Sequence, residues 1–234
     1  MPEASDYERY LHTAELLALQ KPAAERVHRD ELLFQVVHQS SELWLKLAAF
    51  ETAAAAVRLR DGDLAGAAPL LQRALLGLRL ITEQLEMLEH IAPRDYHLLR
   101  SALGQGSGFD SPGFRALQEV ARDVGAAFLA HLQLHALPLA ALYAEPERAP
   151  EAYRVAELLT DWDQQLGLWR ARHLNVVERL IGGAAVGTQG TPIALLRELG
   201  AQRAFPALWA ARDELARAMS AQRPPQPQRA HPPR

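Results

Sequence analysis

The stretch 161–182, DWDQQLGLWRARHLNVVERLIG, sets one histidine into an otherwise apolar helical stripe. At a helical advance of about 100° per residue, Trp162, Leu166, Trp169, Val177 and Leu180 fall within roughly 40° of His173. This helix is expected to aim an imidazole into a core. A buried imidazole needs partners for its ring nitrogens, which means a satisfied core hydrogen bond, an ion pair or a metal. What the rest of the chain places opposite decides among the three.

Working outward, the same periodicity recurs along the chain. Helices are expected at about Ser5–Gln20, Arg29–Arg60, Leu64–His90, Pro93–Leu103, Pro112–Tyr143, Pro150–Ile181, Pro192–Leu199 and Pro206–Ala221. Several open on proline, whose missing N–H costs nothing in the first turn. No segment alternates with period two, and alanine and leucine dominate throughout, so the reading is an all-α helical bundle. Residues 1–221 are expected to form one domain, and the Pro-rich tail 222–234 has the composition of a disordered segment. Two glycine-rich loops, GQGSGFDSPG at 104–113 and GGAAVGTQGT at 182–191, permit tight turns and close approach to a ligand.

Composition narrows the function. The 234 residues are 49% hydrophobic and 23% charged, enough for one sizeable core. A net charge of −3 gives no basic footprint for nucleic acid and no polybasic signal for a membrane surface. Cysteine is absent, which removes disulfides, thiolate metal sites and cysteine nucleophiles and leaves histidine as the soft-metal or haem ligand. No apolar run reads as long enough to span a bilayer and no signal peptide opens the chain, so a cytoplasmic location is expected.

A second histidine points inward. In DELLFQVVHQSSELWLKLAAF the polar residues Gln35, Gln39, Glu42 and Lys46 form one narrow stripe, while Phe34, Val37, Ser41 and Leu45 surround His38 on a different face. A hydrogen-bonded core histidine, bonded to Ser41 or a carbonyl, and a cofactor or substrate site both fit this placement. Further on, Tyr96, Arg100 and Leu103 share a helix face that runs into the loop bearing Ser107. There the planar fork of a guanidinium suits a carboxylate or phosphate, although a surface ion pair with Asp95 fits the spacing too. Tyr7, Tyr10 and Leu11 line one face of the first helix, a pattern that ordinary packing also produces. His131 and His135 are four apart but lack a third ligand at helical spacing, so they read as amphipathic packing.

Taken together, DYERYLHTAELLALQ, DELLFQVVHQSSELWLKL, RDYHLLRSALGQGSGFDS and LWRARHLNVVERLIG followed by GTQGT resemble the tryptophan 2,3-dioxygenase family, in order and over most of the chain. The resemblance implies a helical bundle enclosing one b-type haem per subunit, dioxygen as co-substrate, and opening of the indole ring of L-tryptophan to N-formylkynurenine. It implies His173 as the axial iron ligand, with Trp169 in the apolar wall and Ser107 at the haem edge. His38 would contact the indole N–H and Phe34 the indole ring. Arg100 would grip the substrate carboxylate and Thr188 its ammonium, with Tyr96 and Leu103 lining the pocket. Tyr7, Tyr10 and Leu11 match a segment that enters a neighbouring subunit's site in a homotetramer.

This chain departs from the family pattern in three places. GTQGT stands where GTGGS is usual, Leu85 where a tryptophan is common, and the segment between Ser111 and Trp162 is short. Related haem proteins with the same architecture carry out monooxygenation of modified tryptophans or hydroxylation of tyrosine. That, and a haem-binding sensor without turnover, are the competing readings.

Overall fold

The computed structural model describes residues 4–183, 185–187, 190, 193–200 and 202–221. Its helices are α1 (Asp6–Leu11), α2 (Thr13–Leu17), α3 (Glu31–Arg60), α4 (Leu64–Glu83), α5 (Leu85–Glu89), α6 (Pro93–Ala102), α7 (Pro112–Leu134), α8 (Leu139–Ala144), α9 (Pro150–Ile181), α10 (Ile193–Gly200) and α11 (Pro206–Ala221). Among the described residues no β-strand forms, as the sequence pattern requires. The tail 222–234 lies outside the described residues. The long helices make the bundle: α3 packs along α4 and α7, and α4 packs along α9.

Local chemistry explains the helix starts. Pro93, Pro112 and Pro150 occupy first helical positions. Asp63 caps α4 by accepting from the Gly66 N–H at 2.8 Å, and Ser111 caps α7 by accepting from Phe114 N–H at 3.1 Å.

Three expected helices are each broken in two. The first breaks at His12, which sits in the left-handed region at φ 52°. The third breaks at Gln84, whose side-chain amide accepts from Ser40 Oγ at 2.7 Å and donates to Ser41 Oγ at 2.6 Å on α3. The break after α7 has a clear cause, because Pro138 cannot donate to a helix and drives its predecessor toward extended geometry. Ala136 turns to φ 49° and the Leu137 N–H bonds back to Leu132 O at 2.9 Å, a left-handed helix ending that usually takes glycine.

Apolar side chains gather in two clusters. The larger joins α3, α4, α7, α8, α9 and α11 around Leu45, Leu71, Leu78, Phe128, Leu159 and Trp162. The smaller joins the first half of α3 with α5, α6 and the end of α9, through Val37, Leu85, Leu88, Leu99, Val176 and Leu180. Leu85, at the position where a tryptophan is common, is one of its buried members. Each fully buried leucine contributes on the order of 1.5–3 kcal/mol of hydrophobic free energy. Trp169 packs against both clusters and is where they meet. The buried carboxylate of Asp163 ties the start of α11 to α9, accepting from Ala204 N–H at 3.0 Å and Trp209 Nε1–H at 2.8 Å.

One expectation is corrected. The stretch Leu64–Glu89 does reach the length and hydropathy of a membrane span. Its inner side, however, is packed into the bundle through Ala67, Leu71, Ala74, Leu78 and Ile81. Alanine and leucine at most core positions raise hydropathy here for reasons of packing.

Candidate functional site

The site lies at the smaller cluster. His173 is half-buried on α9, one turn after Trp169, and the two rings stack at 4.8 Å with only 9° between their planes. Phe114 of α7 meets the same tryptophan at 4.2 Å. The His173 imidazole is therefore held in a fixed plane. Burial, with a smaller contribution from the charge of His38, pushes its pKa down to about 4. At neutral pH the ring is uncharged and keeps a lone pair. Among the described residues, buried Trp169 Nε1 and Trp162 Nε1 have no hydrogen-bond partner.

His38 stands on α3, close enough for its charge to act on His173. Its ring lies 4.0 Å from that of Phe34, and its Nδ1 is 2.7 Å from the Phe34 carbonyl oxygen. A carbonyl can only accept, so Nδ1 carries the proton and donates, which leaves Nε2 as an acceptor. Desolvation holds the His38 pKa below its ordinary value, opposed by the Phe34 carbonyl and the charge of Glu42. Solvent nevertheless reaches the residue. This corrects the expected core placement: His38 is exposed on its helix, while the groups around it desolvate the ring.

Helix α6 forms another wall. The Tyr96 ring is 6.2 Å from Phe34, and burial raises the Tyr96 pKa despite the nearby Arg100 charge. One turn later Arg100, half-buried, donates from a terminal guanidinium nitrogen to the Val186 carbonyl oxygen in the loop after α9. Among the described residues no carboxylate pairs with it, so the expected alternative partner Asp95 is not its partner. Leu103 caps α6 and is half-buried. Ser107, also half-buried, accepts from Phe109 N–H at 3.3 Å and opens the short turn Gly108–Asp110.

The structure thus brings Phe34, His38, Tyr96, Trp169 and His173 together, with Arg100 on the same face of α6 as Tyr96. It does not assemble Tyr7, Tyr10 and Leu11 with them: no residue of α1 is buried, and all three side chains stand exposed. Thr188, with Gln189 and Thr191, lies outside the described residues.

Sequence reading missed the residues that hold these walls in place. The polar stripe on α3 is a row of tethers. Gln35 accepts from Lys21 N–H at 2.9 Å and Gln39 accepts from Gln20 Nε2 at 2.7 Å, fastening the segment before α3 across its first turns. Glu31, buried, accepts from Val27 N–H at 2.8 Å and from Lys21 Nζ at 3.2 Å. Glu42 accepts from Ser111 Oγ at 2.5 Å and from Gly113 N–H at 2.9 Å, fixing the end of the Ser107 loop at the start of α7. The approach is so close that a Cβ on Gly113 would fall 2.7 Å from Leu45 Cβ. A narrow row of Gln and Glu beside an apolar face was the available signal, and it reads equally as a solvated face.

One further cluster could hold a divalent cation by donor type: single atoms of His28, Asp30 and Asp95 lie within 4.8 Å of one another. Its two ring nitrogens each face a different carboxylate, Nδ1 toward Asp30 at 3.7 Å and Nε2 toward Asp95 at 3.8 Å. That pattern describes a bridge between the starts of α3 and α6.

The fold and the site define an all-helical protein with two desolvated imidazoles near a set of aromatic rings, and with an arginine that pairs with no carboxylate among the described residues. Residues 2–125 match the family model described as tryptophan 2,3-dioxygenase. Among similar proteins, the tryptophan 2,3-dioxygenase of Caulobacter vibrioides is 35% identical over 92% of this chain and 100% of its own length. That of Serratia proteamaculans is 30% identical over 89% of this chain and 92% of its own, and that of an Arthrobacter species 31% identical over 89% and 91%. The chain belongs to the tryptophan 2,3-dioxygenase family. The Caulobacter alignment spans 266 positions, more than the 234 residues here, so that relative carries segments which this chain lacks.

Proposed function

We propose that this chain is a haem-dependent dioxygenase that inserts both atoms of dioxygen across the indole C2–C3 bond of L-tryptophan, giving N-formylkynurenine. One observation supports the reading: a desolvated imidazole on α9, stacked on Trp169, lies within electrostatic reach of a second imidazole whose Nε2 is left as an acceptor. The residues fit a b-type haem, one per subunit. His173 offers a lone pair, Trp169 and the small apolar cluster supply a dry wall, and Ser107 would lie at the haem edge. When bound, the haem supplies the activation of dioxygen.

The chain's own groups bind and orient. His38 Nε2 accepts the indole N–H, the one polar group on that ring system, while Phe34 packs on the ring at 4.0 Å from the same histidine. Arg100 takes the carboxylate, for which its charge has no competing acid among the described residues, and Tyr96 and Leu103 close the pocket. Thr188 meets the ammonium end. Fixing both ends of the substrate holds C2 and C3 in one place, which converts encounter into an effectively intramolecular reaction. The C2–C3 bond breaks and both carbons gain oxygen, so no external reductant is consumed.

Residues 1–221 act as one domain, since Trp169 belongs to both apolar clusters. Tyr7, Tyr10 and Leu11, exposed here, complete a neighbour's site in a cytoplasmic homotetramer. The test is isotopic: with labelled dioxygen, ferrous protein and L-tryptophan, both labelled atoms appear in one product molecule and no donor is needed. A single labelled atom, or dependence on peroxide or an electron donor, would transfer the chain to the monooxygenase reading.

A further inference from the structure

Two arginines away from the site stand side by side without a carboxylate partner among the described residues. The guanidiniums around them are paired, Arg172 with Glu86 and Glu89, Arg197 with Glu178 and Arg212 with Glu157. Arg170 and Arg203 are not. A terminal nitrogen of Arg170, on α9, donates to the Gln202 carbonyl oxygen at 2.9 Å, which puts its guanidinium on the peptide that leads into Arg203. Arg203 lies back over the same helix: a Cβ added at Gly167 would be 3.8 Å from a terminal nitrogen of Arg203. Residues three apart are neighbours on a helix surface, so both guanidiniums occupy one turn of α9.

Their surroundings hold these charges in place without neutralising them. The Arg203 guanidinium sits over the face of the Trp209 ring, 4.2 Å from its centre, a contact that spends none of its N–H donors on hydrogen bonds. Asp163 acts on Arg170 through its charge, but its two oxygens already accept from Ala204 N–H at 3.0 Å, Phe205 N–H at 3.4 Å and Trp209 Nε1–H at 2.8 Å. Burial holds the Arg170 pKa below its ordinary value; Asp163 opposes this, and the charge of Arg203 adds to it. Arginine does not shed its proton at neutral pH, so a bound counter-charge is what relieves the crowding. Gly167 keeps the space over this turn clear, although glycine inside a helix is unfavourable against alanine.

We propose that Arg170 and Arg203 form a binding site for a small doubly charged oxyanion, inorganic phosphate by class, seated over Gly167 of α9. Two guanidinium forks suit an ion with more than two acceptor oxygens, whereas one fork already saturates the two oxygens of a carboxylate. A net charge of −3 argues against a polyanion as the occupant and for a small ion. The site uses none of the residues assigned to haem or to tryptophan, so it stands apart from that reading.

Inorganic phosphate is titrated into the full chain by calorimetry, with chloride adjusted to hold the ionic strength constant. One saturable site per chain is expected, with acetate binding about tenfold more weakly or worse. Arg170→Gln and Arg203→Gln should each weaken phosphate by about tenfold or more, the worth of charge-assisted hydrogen bonds from one guanidinium, with helicity unchanged. Arg197→Gln, whose guanidinium is already paired with Glu178, should leave phosphate binding as it is. Gly167→Glu sets a carboxylate within reach of both guanidiniums; it should abolish phosphate uptake and melt higher at low salt than Gly167→Gln, which has the same shape and a similar helix preference without the charge. No saturable site, equal binding of acetate, an equal loss in Arg197→Gln, or a Gly167→Glu protein that melts no higher than Gly167→Gln would each overturn the assignment. A chain that binds phosphate as described but yields no N-formylkynurenine counts against the functional reading alone.

Discussion

Replacing Arg100 by alanine tests substrate recognition most directly. The guanidinium is half-buried, its described partner is the Val186 carbonyl, and no described carboxylate neutralises it, so its charge is available to an incoming acid. Truncating one partner of a desolvated charge-assisted pair costs about 2–5 kcal/mol, and partial exposure here screens the charge toward the lower end. A loss of about 2–3 kcal/mol is a fall of roughly 30–150-fold in kcat/KM. The assay compares L-tryptophan with tryptamine, which has the same indole and ammonium but no carboxylate. Arg100→Ala should lower kcat/KM for tryptophan by that factor and leave the already poor tryptamine rate nearly unchanged. Arg100→Lys should recover only part of the loss, because an ammonium cannot present two parallel donors. If tryptamine turnover falls by the same factor, Arg100 acts by holding the Val186 loop, and the carboxylate assignment is refuted.

Four other outcomes follow from the same geometry. His173→Ala should remain helical by circular dichroism yet lose most of its haem, and a variant with unchanged haem content and ferrous spectrum would reassign the ligand. His38→Ala should lower kcat/KM about tenfold, the value of one neutral hydrogen bond at 0.5–1.5 kcal/mol, whereas a loss of 10²–10⁴ would make His38 a catalytic base. Glu42→Ala removes two charge-assisted bonds at the start of α7; discounting for its partial exposure, about 2 kcal/mol is expected, seen as a drop of about 4–8 °C in Tm, and no shift would show that water replaces the carboxylate. In the haem-free protein, the depressed pKa of His173, from 6.5 to about 4, means that the unfolded state binds the proton first on acidification. Stability is then intact above pH ~6.5 and falls by up to roughly 3 kcal/mol as pH drops toward 4. Urea midpoints should show this loss in the wild type and a smaller one in His173→Phe.

What the sequence reveals about this fold depends on whether the signal is local. Pro93, Pro112 and Pro150 mark helix starts because the reason is in the residue itself, its fixed φ and missing donor. The break at Ala136 is not legible in the same way, since alanine carries no preference for a left-handed position and yields to Pro138 two residues on. The histidines divide similarly. Periodicity states the direction in which His38 and His173 leave their helices, but it cannot state that His38 ends up exposed and His173 only half-buried. Nor can it name partners. Glu42 is bonded across a separation of 71 residues and Gln35 across 14, and only the packing of α3 against α7 and the preceding segment turns their polar row from a solvated face into tethers.

The sides of α3 differ in what they do. One side packs on α4 and α7, a second carries Phe34 and His38, and a third, with Val36, Leu43, Leu47 and Phe50, is exposed. The 30 residues of Glu31–Arg60 contain neither proline nor glycine, so the helix has no built-in point at which to kink. Two of its serines, Ser40 and Ser41, are both bonded to Gln84 at 2.6–2.7 Å, and Gln84 stands next to Leu85 of the smaller apolar cluster. Those bonds hold the turn of α3 that follows His38 against the residue that separates α4 from α5.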